Sequence, residues 1–175
     1  MNALFLVPQV GFNETELFTI KRFLEKNNVK CDIASYSKGK VIGKTGKSVV
    51  AKQIFCSVVV KDYGCFIVVG GMNVASLIEH KCVVEMINDA YSVGKLIVLL
   101  CMAPALFCSV TDILKGKNVT VFKSKDLWGV KNLVQHGVKH VDEPVVFDGN
   151  ILTCRDEKDS LQLAKTIVEV LKSKK

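Results

Sequence analysis

The sequence predicts an α/β protein: a doubly wound, parallel sheet sandwiched by helices, with an extra antiparallel hairpin. Three observations predict it. Short runs of apolar residues at 3–7, 65–69 and 96–100 show no polar alternation, the pattern of strands buried on both faces. Segments of helical period separate these runs, as crossover helices between parallel strands would. Near the C-terminus, two apolar runs within 145–154 flank Asp148-Gly149-Asn150, a turn signal for an antiparallel hairpin. A chain of 175 residues with 49% hydrophobic content is expected to form one domain, residues 1–175, with a substantial core.

Each element follows from its residues. ALFLV at 3–7 reads as the first strand. Residues 14–27 form a helix, with Leu17, Ile20 and Leu24 on one face, and 29–34 form the next strand. GKTGKS at 43–48 resembles the end of a phosphate-binding loop, but Lys38 and Val41 stand where such a loop requires glycine. A glycine-punctuated hairpin over about 40–53 explains the segment instead. The strand at 65–69 ends in Gly70-Gly71, and a helix follows at 79–92. The strand Leu96–Leu100 runs into Cys101 and then a helix over 103–114, with Pro104 in the first turn, where its missing N–H costs nothing. Residues 118–122 close the parallel series. The last helix, 160–172, presents Leu161, Ala164, Val168 and Leu171 on one face. No linker, repeat or second domain is evident.

Composition narrows the function classes. The apolar stretch 96–110 contains Pro104 and falls short of the roughly 20 residues that span a bilayer, so no membrane segment is expected. The N-terminus has no basic region before its apolar run and no small-residue cleavage site, which points to the cytoplasm. The formal charge is +7, yet only Arg22 and Arg155 are arginines and the lysines are scattered without interleaved aromatics, so nucleic acid is not an expected partner. The 7 cysteines include no C-x-x-C pair, which supports neither a disulfide scaffold nor zinc. His136 and His140 have the spacing of a helical metal pair, but Gly137 interrupts them and no third ligand stands near. No metal or cofactor is expected.

The chemistry concentrates at Cys101. An apolar strand that breaks at one cysteine and resumes as a helix has the form of a nucleophile elbow, where the side chain points toward the first N–H groups of the helix. Taken alone, a cysteine in an apolar run is more often inert packing than a reactive group.

Three further segments accompany it in order: GFNETEL at 11–17, DYGCFIVVGGM at 62–72, and VDEPVVFDGNILTCRDEKDS at 141–160. With GKLIVLLCMAP, this order and spacing resembles the PfpI/ThiJ superfamily, of class I glutamine amidotransferase-like, flavodoxin-like fold, over about residues 3–172. The resemblance implies that Glu16 is the family's glutamate, whose carboxyl approaches the cysteine sulfur. It also implies an oxyanion hole from the Gly71 and Met102 N–H groups. A protonated carboxyl donates a hydrogen bond to a thiolate, and the adjacent negative charge penalises its own ionisation.

The departures from the family pattern matter as much. Protease-like members carry histidine directly after the cysteine, where this chain has Met102; the following glycine is Ala103. The Parkinsonism-associated branch has a histidine on the strand after the elbow helix, at the position held here by Phe122. Neither familiar base is present, so cysteine peptidase activity is the least supported of the family's activities. The expected function is thiol chemistry of glyoxalase or deglycase type at Cys101, with a small reactive carbonyl or an oxidant as partner. The alternative is a non-catalytic, oxidation-responsive or chaperone-like stress protein. A homodimer or larger symmetric assembly is expected from family habit and from apolar surface at the 40–53 hairpin and at Leu106 and Phe107.

Overall fold

The first strand, β1 (Asn2–Leu6), shows why the apolar runs do not alternate. Leu4 and Leu6 face one core and Ala3 and Phe5 another, so both faces of the sheet are covered and every successive side chain is apolar. The computed structural model describes residues 1–173. After β1 come β2 (Val10–Phe12), helix α1 (Glu14–Lys26), β3 (Lys30–Ser35), the pair β4 (Gly39–Gly43) and β5 (Ser48–Ala51), and the short β6 (Gln53–Ile54). The middle of the chain is β7 (Cys65–Val68), α2 (Lys81–Ser92), β8 (Leu96–Leu100) and α3 (Ala103–Phe107). The remainder is β9 (Asn118–Val119), α4 (Trp128–Gln135), β10 (Lys139–His140), β11 (Val145–Asp148), β12 (Ile151–Cys154) and α5 (Ser160–Ser173).

The main sheet has the order β11-β12-β8-β7-β1-β3-β6 and is parallel except for the β11–β12 hairpin. Leu17, Ile20 and Leu24 of α1 and Leu163 and Ile167 of α5 cover one face; Val83 and Ile87 of α2, Phe107 of α3 and Leu133 of α4 cover the other. Strand order reverses about β1, which has β3 on one side and β7 on the other. In such a sheet the carboxyl ends beside the reversal open a crevice. No helix among the described residues is long and apolar enough to cross a membrane.

The expected architecture is present, but the structure corrects five details. Residues 118–122 do not close the parallel series. The edge of β8 is taken by β12, in register Ile151↔Ile97, while β9 pairs with β10 in a separate two-stranded ladder. Thr120 explains the exclusion, because its N–H is committed to the Thr153 hydroxyl at 3.0 Å rather than to a strand neighbour.

The helix expected over 103–114 ends at Phe107. Beyond it the Ser109 hydroxyl donates to the Leu106 carbonyl at 2.7 Å and the Thr111 hydroxyl to Asn88, local bonds that compete with helix continuation. In α5, Leu163 and Ile167 belong to the core and Leu161 is exposed. Phe107, invoked as outer apolar surface, is fully buried within the chain.

The cysteines hold one surprise. Cys56, in a 3-10 turn (Phe55–Ser57), is disulfide-bonded to Cys82 in the first turn of α2. Their sequence separation of 26 carries no spacing signature; only the packing of the turn against α2 brings them together.

Candidate functional site

The segment after β1, the Gly70-Gly71 exit from β7 and the Cys101 corner after β8 meet at a cavity of about 410 Å³. It is lined by Asn13, Glu16, Gly71, Met72, Cys101 and Phe122, with Lys44, Asp156 and Glu157 completing its wall.

Cys101 has φ +56°, the left-handed region that a side-chain-bearing residue adopts at a cost of roughly 1–2 kcal/mol. Hydrogen bonds on both sides hold it there. Its N–H donates to the Cys154 carbonyl at 2.9 Å, and its carbonyl accepts the Phe122 N–H at 3.0 Å. Because β12 and the segment carrying Phe122 flank the end of β8, they pin the corner that the sequence reads as an elbow. The Met102 N–H reaches the sulfur, while the Met102 side chain packs into the core on the α2–α4 face. Helix α3 has only 5 residues. So short a helix has little macrodipole, and the Met102 N–H, with a smaller share from the Lys44 charge, is what opposes desolvation of the sulfur.

Glu16 lies in the first turn of α1 and is fully buried. Its carboxylate accepts the Gly70 N–H at 2.7 Å and the Asn13 side-chain amide at 3.2 Å. Burial pushes its pKa up to about 8 against the opposition of the Gly70 N–H, with the Glu157 and Asp156 charges adding to the rise and Lys44 opposing it. A neutral carboxyl at pH 7 follows. Burial, and then the charge of Glu16, push the Cys101 thiol up to about 12, opposed by the Met102 N–H. The two titrations are coupled: below about pH 8 Glu16 is neutral and no longer repels a negative sulfur.

Two glycines allow this closeness. A Cβ at Gly70 would stand 2.6 Å from the Cys101 Cβ and 2.9 Å from a Glu16 carboxylate oxygen, so only glycine lets these side chains approach from both sides. Gly71, at φ +134°, leaves no room for a Cβ, which would lie 2.3 Å from the Gly11 carbonyl oxygen. The Asn13 N–H donates to the Gly70 carbonyl and the Met72 N–H to the Gly11 carbonyl, so β2 is laced to the β7 exit. The Gly71 N–H has no acceptor among the described residues and lines the cavity.

Four wall residues were not singled out from sequence. Asn13 caps α1 by accepting the Thr15 and Glu16 N–H groups, and its amide also donates to Glu157 at 2.5 Å. Glu157 pairs with Lys44 at 2.5 Å. Lys44 comes from the β4–β5 turn, inside the very segment set aside as a false phosphate loop, and Asp156 and Glu157 come from the acidic stretch after β12. The signal for Asn13 was its Ser/Asn/Asp-type cap position before a helical run. Nothing local marked the other three.

No histidine lines the cavity. His80 stacks on Tyr36 at 5.0 Å between ring centres. His136 is the C-cap of α4 and His140 belongs to β10, so they do not share a helical face. Phe122, at the position of one family histidine, presents a partly exposed ring to the cavity.

This chain matches the DJ-1/PfpI family over residues 1–170. The chain belongs to that family. Among curated DJ-1/PfpI relatives, the deglycase PfpI of Pyrococcus furiosus is 27% identical over 98% of this chain and 100% of its own. The crystal structure of a ThiJ/PfpI domain protein from Brachyspira murdochii superposes with a TM-score of 0.90 at 22% identity, covering 98% of this chain and 96% of that one. DJ-1beta of Drosophila melanogaster superposes with a TM-score of 0.86 at 24% identity, covering 97% and 89%. These two likenesses establish the shared fold.

Proposed function

We propose that this protein is a cysteine-dependent enzyme of glyoxalase or deglycase type, acting on small reactive carbonyls such as methylglyoxal. The observation that carries the reading is the pairing across Gly70 of a cysteine corner with a buried carboxyl that is neutral near pH 7. In the proposed reaction the sulfur adds to the aldehyde carbon, and the carbonyl electron pair becomes an oxyanion facing the Gly71 and Met102 N–H groups. Glu16 gives its proton to that oxygen and is refilled by the thiol proton, leaving a hemithioacetal. The neutral Glu16 carboxyl then works through both oxygens: it takes the proton of the first carbon while giving its own to the second oxygen, forming an enediol. It then protonates the second carbon while taking the proton of the first hydroxyl, giving a thioester. Water hydrolyses the thioester to a 2-hydroxy acid and restores the thiol. Atoms balance as dicarbonyl plus water, with no external oxidant. The homologue named a deglycase supports the class.

The test is methylglyoxal loss with 2-hydroxy acid formation. Wild-type protein is expected to show slow turnover, and Cys101→Ala and Glu16→Gln to lose about 10²-fold or more. Equal rates for wild type and Cys101→Ala would refute the reading. Casein and peptides are expected to remain uncut, because the cavity offers no imidazole.

The absence of that imidazole from the cavity lining also favours a second reading, in which Cys101 is oxidised to a sulfinate held by the same N–H groups. Peroxide titration followed by mass spectrometry of the Cys101 peptide distinguishes it, since a stable addition of two oxygens without carbonyl turnover fits only this alternative. We further propose a cytoplasmic homodimer. Its support is the exposed apolar side of β4 and β5, where Val50 is 61% exposed and Ile42 36%.

A further inference from the structure

We propose that the mouth of the Cys101 cavity sorts reactants by charge, with Lys44, Asp156 and Glu157 as specificity-determining residues that admit neutral or cationic electrophiles and turn away carboxylates. The inference rests on the reading of Cys101 as a carbonyl-reactive thiol for the identity of its natural reactants. The charge sorting itself is a property of the mouth and can be measured without turnover.

The argument is a charge count at short range. Lys44 and Glu157 are paired at 2.5 Å, and the pairing holds the lysine pKa up and the glutamate pKa down, so both remain charged and cancel. Asp156 lines the same cavity. Its carboxylate accepts the Lys158 N–H, and it is in no ion pair among the described residues. Glu16 is neutral near pH 7 and adds nothing. The mouth therefore carries a net negative charge, and at the Cys101 sulfur itself the Asp156 charge outweighs the opposing charge of Lys44.

The whole chain carries +7, which draws anions in from a distance. At physiological salt that long-range field is screened beyond about 8 Å, whereas the mouth acts within this range. The lysine that could grip a carboxylate is present but occupied. Glu157 holds it, and Asn13 holds Glu157 through a 2.5 Å hydrogen bond. This arrangement predicts that glyoxylate is a much poorer reactant than methylglyoxal, although the reacting aldehyde is the same group.

The experiment compares iodoacetamide with iodoacetate, which are close in size and differ by one charge. Their alkylation rates at Cys101 are read by peptide mass spectrometry and divided by those of 2-mercaptoethanol. In wild-type protein at about 0.15 M salt, where the long-range field of the chain is screened, the normalised iodoacetate rate is expected to fall roughly threefold or more below that of iodoacetamide. Glu157→Gln keeps an acceptor for Asn13 but frees Lys44, and should raise the iodoacetate ratio by about threefold or more. Asp156→Asn should raise it without disturbing the Asn13–Glu157 bond, and Lys44→Ala should lower it further.

Equal normalised rates in wild type, ratios indifferent to Glu157→Gln and Asp156→Asn, or a Cys101 that neither reagent reaches would each overturn the proposal. Methylglyoxal turnover is measured separately. A charge-selective Cys101 without turnover sinks the enzymatic reading alone, and turnover without selectivity sinks this one alone.

Discussion

At the scale of single residues, the site depends on a buried acid kept neutral. Glu16 has a folded pKa of about 8 against a reference of 4.5, so between those values the folded state holds a proton that the unfolded state has released. Its contribution to stability is therefore complete below about pH 4.5 and is lost as pH rises through about 8. Relative to Glu16→Gln, which cannot ionise, the wild type should lose on the order of a few kcal/mol between pH 5 and 9, measured by thermal or urea unfolding. A constant difference across that range would mean that Glu16 is not shifted. Reactivity gives an independent sign. Because the Glu16 charge raises the Cys101 thiol, Glu16→Gln should speed alkylation of Cys101 at pH 9 and change it little at pH 6. Of the other free cysteines, Cys65, Cys108 and Cys154 are buried, so only Cys31 should compete for reagent. Gly70→Ala tests the packing, since its Cβ has no space between Cys101 and Glu16. It should cost about 1–3 kcal/mol in stability and abolish any Cys101-dependent activity.

At the scale of elements, the corner is held by its neighbours rather than by the helix after it. Helix α3 is too short to supply much field, and β12 and the Phe122 segment hold the Cys101 backbone on both sides. The family histidine therefore cannot be restored by sequence alone. The Met102 side chain packs into the core on the α2–α4 face, so Met102→His should lower stability and leave peptide hydrolysis absent, checked by unfolding and a casein assay. The Cys56–Cys82 disulfide ties a 3-10 turn to α2 on the far side of that same core. For a closed loop of this length, reduction or Cys82→Ser should lower stability by about 3 kcal/mol, read as a drop in Tm, without altering the Cys101 alkylation ratios. In a reducing cytosol that increment would be missing.

At the scale of the whole molecule, sedimentation at micromolar concentration is expected to give a dimer or larger assembly, and a mass near 19.3 kDa would refute it. The sequence by itself determined the sheet and the corner. Continuous apolar runs such as Leu96–Leu100, five residues rich in branched side chains, fit a strand buried on both faces, and a glycine pair and a cysteine directly after two such strands lie at the carboxyl edge of the sheet. The family resemblance of the GFNETEL segment, which runs into the first turn of α1, pointed to Glu16. Weak local signals hid the rest: β9 and β10 are two residues each, and α4 is a short helix entered through Leu127 at φ +55°. Tertiary structure alone decided the chemistry around the sulfur. Lys44, Asp156 and Glu157 come from a turn and a loop more than a hundred residues apart, and their charges meet only because the fold brings the β4–β5 turn and the segment after β12 to one cavity. Periodicity reports which face of an element is buried; a pKa or a charged mouth depends on distances between elements, which no local pattern encodes.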